Sequence, residues 1–167
     1  MNVNAQTSTR PTEAAHPWLT GRIVVGIDGS EHSIYALRHA TQLAYFGAAR
    51  LEVVTVWQTP LYHGPTTSLV AWSPKDDARE AIERTLEAVF GDDVPETLTS
   101  TVVEGVTAQS LIDISRDADL LVVGSRGHGG FAGLLLGSVS STCAEHAQCP
   151  VLVIHESGAR LTASRRE

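Results

Sequence analysis

The sequence predicts an α/β fold: a five-stranded parallel sheet, doubly wound, with helices on both faces. Three observations predict it. Short β-branched runs alternate with segments of helical spacing along the chain. The runs are apolar on both sides of the alternation, as in strands covered on both faces. No internal repeat is present, so the elements belong to one unit rather than to two copies. Right-handed crossovers between parallel strands then restrict the topology to the doubly wound kind.

Each element has its own signal. Arg22 to Asp28 (RIVVGID) is a buried strand. Asp28-Gly29-Ser30-Glu31 has the Asp-x-x-Glu form of a helix start. Ile34, Leu37, Ala40 or Thr41, and Ala44 follow at helical spacing, and Gly47 closes the helix. Leu51 to Trp57 is the second strand, and residues 58–74, with Pro60, Gly64, Pro65 and Pro74, form a long loop. Lys75 to Phe90 is helical, with Ile82, Leu86 and Val89 on one face. Leu98 to Val103 is a strand, Ala108 to Arg116 a short helix, and Asp119 to Gly124 a buried strand. Ser138 to Ala147 is the last helix and Pro150 to His155 the last strand. Residues 1–20, polar and without periodicity, are expected to be a flexible extension, and residues 157–167 a flexible basic tail; the single domain spans 21–156.

Composition narrows the function. The formal charge of −7 disfavours nonspecific binding to nucleic acid or to an anionic membrane, because phosphates would be repelled. No apolar stretch approaches the ~20 residues that span a bilayer. Cys143 and Cys149 form neither a CxxC pair nor a zinc-like spacing with the histidines. The start of the chain lacks the basic and apolar regions of a secretory signal, so the expected location is cytoplasmic.

In such sheets ligands bind beyond the carboxyl ends of the strands, where strand order reverses. With the first and fourth strands as neighbours, that crevice lies between the loop after Asp28 and the loop after Gly124. The second loop, GSRGHGGFAGLLLG, is glycine-rich and runs into Ser138-Val139-Ser140 at a helix start. Glycines admit positive φ and close approach of a ligand to the main chain. Free N–H groups and the positive dipole end of the helix favour an anion. The Ser138 and Ser140 hydroxyls add donors, which makes a phosphate cradle; an ordinary surface loop capped by Ser138 is the competing reading. Lys75, the only lysine, follows Ser73-Pro74, so no GxxxxGK[ST] loop exists, and Gly26-x-x-Gly29 is not GxGxxG. Neither GxSxG nor HExxH occurs. His128 lies in the glycine loop, where it either touches a phosphate or is simply solvated.

Gly124-x2-Gly127-x9-Gly137-Ser138 resembles the G-2x-G-9x-G-(S/T) motif of the ATP-binding universal stress proteins. GIDGSE at 26–31 is similar to that family's first-strand signature, and CPVLVIHE at 149–156 to its last strand. The resemblance implies strand order 3-2-1-4-5, the adenine nucleotide alpha-hydrolase-like arrangement. It implies ATP, with or without Mg2+, as ligand. Gly26, Ile27 and Asp28 would meet the nucleoside part. The backbone of Val56 would meet adenine, and Val123 would line the base or ribose pocket. Gly124, Gly127, Gly137, Ser138, Val139 and Ser140 would hold ribose and phosphates, with Arg126 adding charge. A homodimer through Val151, Leu152, Val153 and Ile154 is also implied, which agrees with the need to cover an apolar edge strand. Trp57, Tyr62 and Trp72 either fold over adenine as a lid or anchor their loop. Phe131 and Leu134 to Leu136 pack on the domain or on a dimer partner.

Three functions compete at this point. One is a nucleotide-dependent stress or signalling regulator. Another is a slow ATPase, or an enzyme phosphorylating itself on Ser138 or Ser140; phosphoryl transfer needs a metal-holding carboxylate, and only Asp28 is placed near the cradle. The third is an interaction module that binds another adenine nucleotide, such as cyclic AMP.

Overall fold

Ile23, Val24 and Val25 have no solvent-exposed surface, which requires cover on both faces of their strand. The computed structural model provides it; the structure describes residues 19–59, 73–127 and 135–155. The elements are β1 (Arg22–Gly26), α1 (Glu31–Gly47), β2 (Arg50–Trp57), α2 (Pro74–Phe90), β3 (Leu98–Glu104), α3 (Thr107–Ile114), β4 (Leu120–Gly124), α4 (Ser138–His146) and β5 (Val151–Ile154). The sheet is wholly parallel with order β3-β2-β1-β4-β5. The fold class and strand order expected from sequence are therefore those observed.

Side-chain alternation divides the core in two. Ile23, Val25, Val53, Leu120 and Val122 pack with Ala36, Leu37 and Ala40 of α1 and Ile82 of α2. Val24, Val54, Leu121 and Val123 pack on the other face with Leu111 and Ile112 of α3 and Cys143 of α4. Neighbouring residues of one strand thus serve opposite layers, as the pleat demands.

Several boundaries differ from the sequence reading for identifiable reasons. The first strand ends at Gly26, although the Ile27 N–H still donates to the Val54 carbonyl at 2.9 Å. Asp28 does not cap α1. Gly29, at φ 83°, turns the chain, and Ser30 is the N-cap whose Oγ accepts from the Ser33 N–H at 3.3 Å. The Asp-x-x-Glu form expected at the helix start is therefore not used, and the cap lies two residues later. Pro74 opens α2 rather than ending the preceding loop; a proline at the first helical position loses no hydrogen bond. Gly47 is the last residue of α1, and the left-handed cap is Ala48, at φ 55°. Glycine at 47 answers packing instead: a Cβ there would overlap the Leu19 carbonyl. Pro150 lies outside β5, but its carbonyl accepts from the Leu121 N–H at 2.9 Å.

Candidate functional site

At the carboxyl ends of β1, β2 and β4 lies a cavity of about 360 Å³. β1 contributes Gly26, followed by Ile27 and Asp28. β2 contributes Val56, and β4 ends in it with Val123 and Gly124. Arg126 and Gly127 follow from the loop, and Gly137, Ser138, Val139 and Ser140 come from the start of α4. The strand-end residues and the glycine-motif residues singled out in the sequence therefore line one space, although they come from three separated stretches and one mid-chain strand.

The sequence reading missed Ser33, Val54, Thr107 and Leu111, which also line the cavity. Val54 lies two residues before Val56, so it shares that residue's face of β2, a period-two signal the sequence carries. Leu111 is placed by packing: a Cβ on Gly26 would come within 2.8 Å of its Cδ1. Thr107 opens α3, and Ser33 lies in the first turn of α1. Neither belongs to a spaced motif. A shallower groove shares Thr107, Ser138 and Val139 with the cavity and extends to Gln58, Gln109 and Thr142.

Positive φ, one of the two roles expected of the loop glycines, is not what Gly124, Gly127 and Gly137 supply. Positive φ occurs at Gly29, Gly91 and Gly105 among the described glycines, and at none of Gly124, Gly127 and Gly137. Gly124 is a packing glycine, since a Cβ would lie 2.9 Å from the backbone of His32 in α1. Gly127 faces the Asp28 carboxylate so closely that a Cβ would overlap Oδ2. That approach brings the loop after β4 against the loop after β1. Gly137 is different. Its φ is −76°, and the nearest atom to a built Cβ is the Ser125 carbonyl oxygen at 3.5 Å. No contact among the described residues requires glycine there.

The polar groups have distinct tasks. Asp28 Oδ1 accepts from the Ser30 N–H at 3.0 Å and the Ser30 Oγ at 2.6 Å, which fixes its carboxylate at the mouth of α1. Ser140 Oγ donates to the carbonyls of Ser125 and Gly137, each at 3.0 Å, so this hydroxyl fastens the cradle rather than standing open as a donor. The N-cap of α4 is Gly137, with no side-chain hydrogen bond to the first turn. Arg126 Nε is buried and has no hydrogen-bond partner among the described residues. An uncapped helix start beside a buried, unpaired guanidinium nitrogen is a setting that fits an anionic group. Asp28 and Arg126 are the charged residues of the described lining.

Other expectations fall elsewhere. Trp57 ends β2 without lining the cavity, while Tyr62, Trp72, His128, Phe131 and Leu134 lie outside the described residues. Leu135 is exposed and Leu136 half-buried. Cys143 is buried in the core under α4, and that burial, with Cys149 adding to it, pushes its thiol up to about 11. A thiol so protonated is a packing residue. No helix among the described residues is long and apolar enough to cross a membrane.

The universal stress protein family model matches residues 20–155, from the edge of the buried Leu19 to the end of β5. The chain belongs to the universal stress protein family. A universal stress protein of Mycobacterium tuberculosis is 37% identical over 145 residues, covering 80% of this chain and 47% of that protein. One from Methanocaldococcus jannaschii is 30% identical over 139 residues, covering 80% of this chain and 81% of the relative. This universal stress protein thus spans about half the length of the mycobacterial relatives it matches. Among solved structures, UspA of Lactobacillus plantarum superposes with a TM-score of 0.66 at 24% identity, over 81% of this chain and 97% of that one. It bears on the fold, which is the adenine nucleotide alpha-hydrolase-like arrangement. A universal stress protein crystallised in complex with cAMP superposes with a TM-score of 0.57 at 29% identity, over 83% of this chain and 99% of that one.

Proposed function

We propose that this universal stress protein binds an adenine nucleotide, with ATP as the principal ligand, and acts as a nucleotide-dependent regulator in a homodimer. One observation carries the reading: the glycine-motif residues and the strand-end residues Gly26, Ile27, Asp28 and Val56 line a single cavity. Val54, Val56, Leu111 and Val123 give one part of that cavity an apolar wall suited to a base. Arg126, Gly127 and the uncapped start of α4 give the other part the donors suited to phosphate. The Val56 main chain is the edge for adenine, and Asp28 is the ribose contact. Mg2+ would accompany ATP as the counter-ion of its phosphates, with Asp28 as the near carboxylate. The dimer forms through Val151, Leu152 and Val153, which are half-exposed on an edge strand, together with Ile154.

A second reading, cyclic AMP as the preferred ligand, is favoured by the solved relative in complex with cAMP. A single guanidinium in the described lining also suits a ligand of low charge. Calorimetric titration of nucleotide-free protein with ATP, ADP, AMP and cAMP separates the two, alongside chromatography of whatever nucleotide the purified protein releases on denaturation. ATP binding at least tenfold tighter than cAMP is expected. The reverse order establishes the second reading, and absence of binding by all four overturns both.

A further inference from the structure

Ser125 follows the last residue of β4 and has no solvent-exposed surface. Three separate parts of the fold meet on it. Its N–H donates to the Ile154 carbonyl at 2.7 Å, which extends the β4–β5 ladder by one bond. Its carbonyl accepts from the Gly137 N–H at 2.7 Å and from Ser140 Oγ at 3.0 Å, at the start of α4. Its hydroxyl shares a hydrogen bond of 2.9 Å with Nδ1 of His155, immediately beyond β5. Ser125 does not line the cavity, but Gly124 before it and Arg126 and Gly127 after it do. The His155 ring is exposed and packs near the His32 ring of α1, with centroids 6.3 Å apart. A Cβ on Gly124 would meet the His32 backbone, so the same helix turn supports the loop from behind.

From this juxtaposition we infer that His155 is a positioning residue for the nucleotide cavity: through Ser125 it ties the end of β5 to the loop bearing Arg126 and Gly127, and so sets affinity for the phosphate part of the ligand. A buried hydroxyl needs an acceptor for its proton. Neutral His155 supplies one at Nδ1. The pair therefore makes phosphate grip depend on a side chain at the sheet edge, through the 2.9 Å hydrogen bond to Ser125. The affinity arm of this inference rests on the nucleotide reading of the cavity; the structural arm does not.

The full chain is tested as wild type, His155→Ala, His155→Asn and Ser125→Ala. Asparagine keeps an acceptor near the position of Nδ1. Amide hydrogen exchange at Ser125 and Gly137 should quicken in His155→Ala and return towards wild type in His155→Asn. ATP affinity should fall about three- to tenfold in His155→Ala and in Ser125→Ala, the scale of one lost hydrogen bond, with adenosine affinity unchanged. Unchanged exchange at both amides overturns the inference. So does an equal loss for ATP and adenosine. If the wild type binds no adenine nucleotide yet the exchange pattern appears, the tie between β5 and the loop stands and the nucleotide reading falls.

Discussion

The two faces of the sheet are finished differently. On one face, α1 and α2 begin with serines, Ser30 and Ser73, whose hydroxyls accept from the first turn. On the other, α3 and α4 begin at Val106 and Gly137, with no side-chain cap. The cavity opens where those uncapped helices start, and Thr107, Ser138, Val139 and Ser140 line it. Side-chain caps satisfy backbone donors within the chain; their absence leaves donors for something else. One face is closed on itself, and the other keeps hydrogen-bonding capacity in reserve.

The contrast can be broken most severely at the packing glycines. Gly124→Ala sets a methyl against α1 backbone, which cannot rotate away, so a loss of about 2–3 kcal/mol is expected from urea denaturation. A change below ~0.5 kcal/mol would mean that α1 is not seated on the end of β4. Gly137→Ala should do the opposite. Its Cβ meets only ordinary contacts and its φ suits any residue, so stability should change by less than about 1 kcal/mol. ATP affinity should fall roughly tenfold, because the added methyl occupies cavity space beside the helix start. Equal affinities in wild type and variant would remove the start of α4 from the binding site. The smallest effect lies in the caps themselves. Ser30→Ala should cost about 1 kcal/mol, whereas Val106→Ser should add stability of a similar or smaller size. If both changes destabilise in thermal melts, α3 is satisfied by some means other than a cap.

Much of this was legible in the sequence, for a physical reason. Strands covered on both faces must be apolar along their length, so RIVVG, LLVVG and VLVI stand out without help from a partner. The ligand-lining residues on strand ends and at the start of α4 were legible because they sit at fixed spacings in short stretches. Leu111 and Thr107 were not, since α3 is brought to the cavity by packing against β1 and β2, which no local spacing encodes. Positive φ is expected at the glycines for a related reason. A sequence shows that a side chain is absent, but only the fold shows what it would have met: helix backbone at Gly124, a carboxylate at Gly127, and only ordinary contacts at Gly137. Asp28 reads as the helix start for a third reason, because its spacing to Glu31 fits a cap, whereas the turn at Gly29 hands that place to Ser30.

The sheet has two unequal edges. β3 carries Thr99, Ser100 and Thr101 exposed in sequence, whereas β5 is an uninterrupted Val-Leu-Val-Ile run. A hydroxyl-lined edge remains hydrated, while an apolar one gains by contact with another surface. Association that uses only the β5 edge is self-limiting. In the proposed homodimer, two copies meeting there by a two-fold axis would each use up the apolar edge, and the outward edges of the pair would both be β3. A second apolar edge would instead give each added chain a place for the next, and the product would be a filament of open length.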